Sequence, residues 1–202
     1  MKKVFVAGLT GGIASGKTLA LSELARAGAR VFSSDAIARE LLRRGSPLAR
    51  AAVKAFGPSI AAPDGSIDRR RLDQRAFKSP SERRRLEALL HPPVLRAMRR
   101  EIARARGGAL VCDVPLLFEK GLAARFDATI LISSPRSSRI SRLRRFRGLS
   151  RSEALSRMGA QWPDARKRPL ADVVVENRGS KSQFLRTIRS YGRAMAVISK
   201  ST

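Results

Sequence analysis

Cysteine, histidine and long apolar runs are nearly absent from this sequence. It contains one cysteine, Cys112, and one histidine, His91. A single cysteine cannot form a disulfide within the chain, so an oxidising compartment is not required. No apolar run reaches the roughly 18 residues that a membrane-spanning helix needs. These absences favour a cytoplasmic protein. A hydrophobic fraction of 43% predicts a globular chain with a core of its own.

Acidic residues are also scarce. The chain has 16 Asp and Glu against 42 Lys and Arg, which gives a formal net charge of +26. A field of this sign attracts polyanions, so nucleic acid has to be considered as a non-specific partner. The basic residues are spread over almost every segment. Arginine-rich faces exposed to solvent would explain this distribution equally well, without a nucleic-acid partner. The net charge is therefore evidence about which molecules the protein associates with, and it does not indicate the fold.

The N-terminal segment contains the first motif with a chemical meaning. The apolar run Val4–Ala7 leads into a glycine-rich stretch, and Gly11–Thr18 satisfies the pattern G-x-x-x-x-G-K-[ST]. Helix-forming residues continue to Gly28, and Val31–Phe32 supplies the next strand. Glycine-rich turns also occur for conformational reasons alone. However, a strand, this loop, a helix and a second strand together are typical of a nucleotide-binding P-loop.

Each residue type in this loop has a chemical task. Glycines let successive backbone N–H groups point at phosphate oxygens, and the following helix directs its positive end to the same place. Lys17 is expected to bridge the β- and γ-phosphates of the nucleotide, and the Thr18 hydroxyl to bind Mg²⁺. The residues predicted to bind the nucleotide are Gly12, Ile13, Ala14, Ser15, Gly16, Lys17, Thr18 and Leu19.

Two carboxylates follow predicted strands. Asp113 ends the apolar segment Ala109–Asp113 and is predicted to hold Mg²⁺, directly or through water, although strand ends also carry structural aspartates. Asp35 follows the strand Val31–Phe32, and ligands of parallel sheets lie at the carboxyl ends of the strands. Asp35 is therefore predicted to accept the proton of an attacking hydroxyl or to orient that hydroxyl. It also suits the N-cap of the helix that follows.

The stretch between these two carboxylates is almost wholly helical and interrupts the alternation of strand and helix. Ser46–Pro47 and Asp68 predict helix starts, and Ser79–Glu82 predicts another helix that Pro92–Pro93 should break or restart. We interpret the stretch as an inserted helical subdomain, where a P-loop kinase usually holds its phosphoryl acceptor. Because no Asn-Lys-x-Asp guanine-binding motif occurs, a small-molecule kinase is favoured over a GTPase.

Several segments together resemble one known family, the dephospho-CoA kinases. They are Thr10–Lys17, Asp35–Arg39, Leu90–Pro92, Asp113–Glu119 and Ala171–Asn177, in the family's order and at similar spacing. The resemblance covers nearly the whole chain, and its more specific parts are the His-Pro pair together with the Pro-Leu-Leu-Phe-Glu box. It implies an enzyme that uses ATP and Mg²⁺ to phosphorylate the ribose 3′-hydroxyl of dephospho-CoA.

The resemblance also assigns roles to individual residues. It implies that Asp35 is the carboxylate on the acceptor side, and that His91 is a wall of the acceptor pocket, although a lone histidine is more often structural. The further residues that it implies are Pro115 and Leu116 beside the acceptor, and Asn177 and Gly179 beside the adenine of ATP. Asn and Gly would also favour a plain turn at the last two positions.

A strongly basic segment around Gly148 predicts two short helices that form a mobile lid over ATP. Arg142 is the arginine predicted to neutralise charge that develops on the transferred phosphoryl group. The family commonly has an arginine where this chain has Phe146, so Arg145 or Arg147 is an alternative.

Other positions depart from the family pattern. Ala14 stands where the family usually has glycine, and alanine is tolerable there only if its φ angle stays negative. Ser33 replaces a frequent acidic residue two positions before Asp35. Gln161 and Lys167, by contrast, stand where the family often has a glutamine and a lysine.

We therefore predict a three-layer α/β P-loop fold with a parallel sheet, an inserted helical acceptor-binding domain and a helical lid. The predicted nucleotide-binding core is residues 1–35 and 107–202, the acceptor domain residues 36–106, and the lid residues 135–165. We expect a monomer that acts on dephospho-CoA with ATP and Mg²⁺. Two rival functions stay open: a P-loop nucleic-acid-binding ATPase, and another kinase of this fold with a nucleoside monophosphate or shikimate-like acceptor.

Overall fold

A computed structural model describes residues 4–201, with side chains up to residue 198. The chain divides into two compact units. The first contains the chain up to Phe32 and from Arg104 onward, and the second is Ser33–Ala103. Within residues 4–201, every helix is too short or too polar to cross a lipid bilayer.

The first unit is built on a five-stranded sheet with the order β2-β3-β1-β4-β5. The strands are β1 (Phe5–Thr10), β2 (Arg30–Ser33), β3 (Ala109–Asp113), β4 (Ala128–Ser133) and β5 (Val173–Glu176). β1 pairs in parallel with both β3 and β4, and β4 pairs in parallel with β5. Every residue of β3 is buried, which explains the continuous apolar run in its sequence. The run ends in an aspartate.

Among the described residues, one helix follows β1, four follow one another after β2, largely in the second unit, three lie between β4 and β5, and one follows β5. In chain order they are α1 (Lys17–Arg26), α2 (Ser34–Leu41), α3 (Pro47–Phe56), α4 (Arg69–Ala76), α5 (Pro80–Arg104), α6 (Arg136–Arg147), α7 (Arg151–Gly159), α8 (Asp164–Lys167) and α9 (Lys181–Ser201). Short 3₁₀ turns lie at Pro58–Ile60, Ala123–Arg125 and Arg168–Leu170.

The core of the first unit lies where α1 and α9 pack against the sheet. Leu24 of α1, Ile130 of β4 and Ile188 of α9 belong to one buried cluster. An ion pair joins the two helices, because Arg189 Nε lies 2.7 Å from Glu23 Oε1. Hydrogen bonding to Arg189 lowers the pKa of Glu23. These contacts fix α1, and with it the loop that precedes it.

The second unit consists of α2, α3, α4 and most of α5. Its core contains Leu42, Phe56, Ile60 and Leu72. The predicted helix starts are confirmed: the Ser46 side chain accepts a hydrogen bond from the Ala49 N–H at 3.0 Å, and Asp68 accepts one from the Arg71 N–H at 3.1 Å. Local capping signals were therefore sufficient to place these two helices.

The predicted helix break at Pro92 and Pro93 is wrong. Both prolines lie inside α5, which spans 25 residues. Each proline lacks the N–H of a helix hydrogen bond and crowds the preceding turn. Leu86 and Leu90, before the pair, pack against the core of this unit, and Met98, after it, is buried. Packing on both sides of the prolines explains why the helix continues.

Asp35 is not the N-cap that the sequence suggested for α2. The cap is Ser33, whose hydroxyl accepts a hydrogen bond from the Ala36 N–H at 3.2 Å. Asp35 lies in the first turn of the helix, is exposed, and its backbone carbonyl accepts a hydrogen bond from Arg39 Nε at 3.3 Å. The Asp35 carboxylate is thus not needed to begin the helix.

Candidate active site

The glycine-rich loop joins β1 to α1. Gly16 is the N-cap of α1 and has a φ of 107°, which favours glycine. The N–H groups in the first turn of a helix have no intrahelical acceptor, and the helix dipole is positive there, so this end attracts anions. Lys17 is the first residue of α1 and is half-buried, and none of the ion pairs among the described side chains involves it. This arrangement suits a phosphate group.

Side chains from outside the loop hold its carbonyl groups. Three successive carbonyls accept hydrogen bonds: Ile13 from Arg139 Nε at 2.9 Å, Ala14 from Arg142 Nη1 at 3.0 Å, and Ser15 from Asn177 Nδ2 at 2.8 Å. The C=O and N–H of a trans peptide point in opposite directions. The N–H groups of Ala14 and Gly16 share peptide planes with the Ile13 and Ser15 carbonyls. Because those carbonyls are held, the two N–H groups point the other way, where a phosphate can accept hydrogen bonds from them.

The expectation that Ala14 keeps a negative φ is wrong. Its φ is +60°, in the left-handed region. This conformation costs an L-residue about 1–2 kcal/mol. The two carbonyls on either side of the Ala14 Cα, those of Ile13 and Ala14 itself, are the ones held by Arg139 and Arg142. The loop geometry is thus maintained without the glycine that the family usually has.

Arg139 is a site residue that sequence reasoning missed. It is only 6% exposed, and its Nη1 lies 3.3 Å from Asp164 Oδ1. Burial lowers the pKa of Arg139, and the charge of Asp164 opposes this shift. A Cβ atom at Gly12 would lie 2.1 Å from Arg139 Nη2, so the guanidinium packs directly on the loop backbone. The sequence does not single it out, because Arg136, Arg139, Arg142 and Arg145 all lie three residues apart and so share one helix face.

Residues 161–164, which lead from α7 into α8, also hold the loop. The Ile13 N–H donates a hydrogen bond to Gln161 Oε1 at 2.7 Å. Asp164, which pairs with Arg139, accepts a further hydrogen bond from the Ser133 hydroxyl at 2.8 Å. The sequence alone indicates only that Gln161 stands where the family often has a glutamine. The structure adds it, with Asp164, to the residues around the phosphate-binding loop.

A buried ion pair anchors this segment. Lys167 Nζ lies 2.7 Å from Glu119 Oε1, and the Lys167 side chain is fully buried. The same Glu119 oxygen accepts a hydrogen bond from the Trp162 N–H at 3.0 Å. Glu119 therefore ties α8 and the residues before it to the chain that follows β3.

We expect the variant Lys167→Met to lower the free energy of unfolding by about 3–5 kcal/mol, because it leaves the Glu119 charge buried without its partner. Urea unfolding followed by circular dichroism measures this. The double variant Lys167→Met/Glu119→Gln should regain part of the loss, and Lys181→Met, at an exposed lysine, should change little. A loss of less than about 1 kcal/mol, the range of surface pairs, would contradict the role assigned to this pair.

Asp113 and the residues after it lie beside β1. Asp113 is buried at the end of β3 and is in register with Leu9, near the start of the loop. The Pro115 carbonyl accepts a hydrogen bond from Thr10 Oγ1 at 3.4 Å, and Leu116 is half-buried. Thr18 is exposed in the first turn of α1. In the described part of the chain, no cluster of three or more His, Cys, Asp or Glu side chains could hold a metal.

A cavity of about 240 Å³ lies beside the loop after β5. It is lined by Val174, Val175, Glu176, Arg178, Gly179, Gln183, Phe184 and Thr187. Asn177 is 7% exposed and packs on the glycine loop, since a Cβ at Gly16 would lie 2.4 Å from its Nδ2. Although burial opposes the shift, hydrogen bonds from Arg168 and Arg178 lower the pKa of Glu176 at the cavity rim.

The predicted site residues fall into both units. In the first unit, the structure brings Arg142 and Asn177 into contact with the residues of the glycine loop. Asp35 and His91 belong to the second unit, in α2 and α5. Their roles stay predictions.

The sheet, the glycine loop and the helix that begins with Lys17 define a P-loop nucleotide-binding protein. The family model for dephospho-CoA kinase matches residues 5–183. The chain belongs to the dephospho-CoA kinase family, whose members are transferases.

Two relatives of that name and one solved structure are similar to this chain over most of its length. A dephospho-CoA kinase of Anaeromyxobacter dehalogenans is 45% identical over 178 residues, which cover 87% of this chain and 84% of the relative. One of Geobacter metallireducens is 39% identical over 188 residues, 92% of this chain and 94% of the relative. The crystal structure of a Thermus thermophilus protein superposes with a TM-score of 0.76 at 33% identity, over 100% of both chains.

Proposed function

We propose that this chain transfers the γ-phosphoryl group of ATP to the ribose 3′-hydroxyl of dephospho-CoA. The chain belongs to the dephospho-CoA kinase family. The observation that carries the proposal is that side chains hold the carbonyls of its glycine loop, so that the loop's N–H groups can bind a phosphate. Phosphoryl transfer needs little covalent chemistry from the protein. It needs the reactants in line, charge neutralised and water excluded.

On the nucleotide side, we assign Lys17 to the β- and γ-phosphates. One nitrogen of Arg142 is engaged with the Ala14 carbonyl at 3.0 Å and with the Ser134 hydroxyl at 3.1 Å, so its other donors are the ones we assign to phosphate oxygens. The cavity lined by Gly179, near Asn177, is the candidate adenine site.

A magnesium ion fits the oxygen donors present. Mg²⁺ binds through one or two protein oxygens together with substrate phosphates, rather than in an all-protein cage. The Thr18 hydroxyl and the Asp113 carboxylate are the groups that would hold it. When bound, it neutralises charge on the phosphate oxygens.

On the acceptor side, we assign Asp35 to orienting the attacking hydroxyl or taking its proton. His91, Pro115 and Leu116 are assigned to the acceptor pocket. The helical residues 36–106 are the proposed acceptor domain, and residues 135–165, which include α6 and α7, the proposed lid. We take the active form to be a monomer. Nucleic acid, if it binds the basic surface, is a non-specific partner outside the reaction.

A steady-state assay of ADP release from ATP and Mg²⁺ tests this function against its rivals. Dephospho-CoA should stimulate turnover strongly, while nucleoside monophosphates, shikimate, DNA and RNA should not. Family membership disfavours the nucleic-acid-dependent ATPase. Stimulation by a nucleic acid, or by another small acceptor in place of dephospho-CoA, would overturn the proposal.

A further inference from the structure

We propose that Arg139 is a positioning residue that keeps the phosphate-binding loop in its left-handed turn at Ala14. This rests on the proposed function only in that the loop binds ATP. Arg139 reaches the loop backbone from α6 and is held from behind by Asp164. Without it, the loop would lose the conformation that presents its N–H groups to the triphosphate.

The strain that Arg139 offsets is local. Ala14 is the only non-glycine with a positive φ among the residues that the structure describes. Changing the φ or ψ of Ala14 turns the peptide plane before it relative to the plane after it. The carbonyl of the first plane is bound by Arg139 at 2.9 Å, and that of the second by Arg142 at 3.0 Å. A return of Ala14 to negative φ would therefore break at least one of these bonds.

Arg139 is the firmer of the two supports. Its side chain is 7% exposed and is fixed at three places: the Ile13 carbonyl, the Asp164 carboxylate and the backbone of Gly12. Asp164 is itself fixed by the Ser133 hydroxyl at 2.8 Å, at the end of β4. A continuous set of contacts thus runs from the sheet through Asp164 and Arg139 to the strained peptide. Arg142, by comparison, is half-buried.

The loop residue before Ala14 is held from both sides. The Ile13 N–H donates to Gln161 at 2.7 Å, while its carbonyl accepts from Arg139. Rotation of this residue is therefore resisted at both ends, and the strain has to be carried at Ala14. A glycine at position 14 would adopt the same turn at no steric cost.

This coupling makes a testable prediction about ATP affinity. Arg139→Gln should raise the Kd for MgATP about 10-fold, as measured by isothermal titration calorimetry. This factor corresponds to the free-energy cost of the left-handed conformation at Ala14. In an Ala14→Gly background the same substitution should raise the Kd by only about 2-fold, because glycine needs no support there. Arg193→Gln, an equal charge change at an exposed position of α9, is the matched control and should leave the Kd unchanged.

The double-mutant design separates positioning from general stability. A merely structural role would lower the midpoint of thermal unfolding equally with and without the Ala14→Gly substitution, and would leave the Kd of the folded protein unaltered. If Arg139→Gln does not fold, Arg139→Lys and Asp164→Asn test the same coupling to Ala14→Gly. Equal weakening in both backgrounds, or none in either, would overturn the role.

The outcome is distinguishable from failure of the proposed function. Wild-type protein that binds MgATP but does not phosphorylate dephospho-CoA would overturn the function and leave the role of Arg139 standing. Wild-type protein that does not bind MgATP would overturn both.

Discussion

The variant Lys17→Ala is expected to lower kcat/KM for the phosphorylation of dephospho-CoA by at least about 10²-fold. Losses of this size are found when an enzyme loses one preorganised hydrogen-bond donor that stabilises charge in the transition state. Lys17 is the group that we assign to the β- and γ-phosphates, where negative charge shifts as the γ-phosphoryl group leaves. The loss should appear in kcat more than in the KM for ATP, since the backbone N–H groups still bind the ground state.

The position of Lys17 makes the result diagnostic. A cation in the first turn of a helix opposes the helix dipole, at a cost of about 0.3–1 kcal/mol. Alanine is also a better helix former. The variant should therefore unfold at the same temperature as the wild type or slightly higher, while its activity collapses. Opposite effects on stability and activity are typical of a residue retained for function.

Lys181→Ala is the matched control, because Lys181 is the first residue of α9 as Lys17 is of α1. It is exposed and should show the same small change in stability with unchanged turnover. A Lys17→Ala enzyme that kept more than about a tenth of wild-type kcat/KM, well above the loss expected for one such donor, would remove Lys17 from the mechanism.

Local signals in the sequence predicted the start of the first unit and two helix starts of the second. The strand, glycine loop and helix around Lys17 depend on residues within one short stretch, and so do the caps at Ser46 and Asp68. The family resemblance extended this to the whole chain, and the family assignment is confirmed. Features that follow from neighbouring residues were therefore accessible without a structure.

Features that depend on distant contacts were not. Pro92 and Pro93 predict a helix break by local rules, yet packing on both sides of the pair keeps α5 continuous. Ala14 should avoid a positive φ, yet side-chain hydrogen bonds from residues more than 120 positions away hold it there. Arg139 is one arginine among many in α6, and its contacts with Asp164, the Ile13 carbonyl and Gly12 distinguish it from the arginines in solvent.

The variant Asp35→Asn is expected to lower kcat by about 10²–10⁴-fold, the usual contribution of a positioned acid or base. We expect the KM for ATP to change much less, because the groups assigned to ATP belong to the first unit and Asp35 to the second. Asparagine keeps the size and a hydrogen-bonding oxygen but cannot take a proton. Steady-state kinetics with each substrate varied in turn measures the two effects separately.

The structure supplies a control for this experiment. Ser33, rather than Asp35, caps α2, so Asp35→Asn removes only the favourable charge in the first turn. Ser33→Ala removes the cap instead and should cost about 0.5–2 kcal/mol of stability with kcat nearly unchanged. The two variants should therefore separate helix stability from catalysis. An Asp35→Asn enzyme with wild-type kcat would show that this carboxylate neither orients the acceptor hydroxyl nor takes its proton.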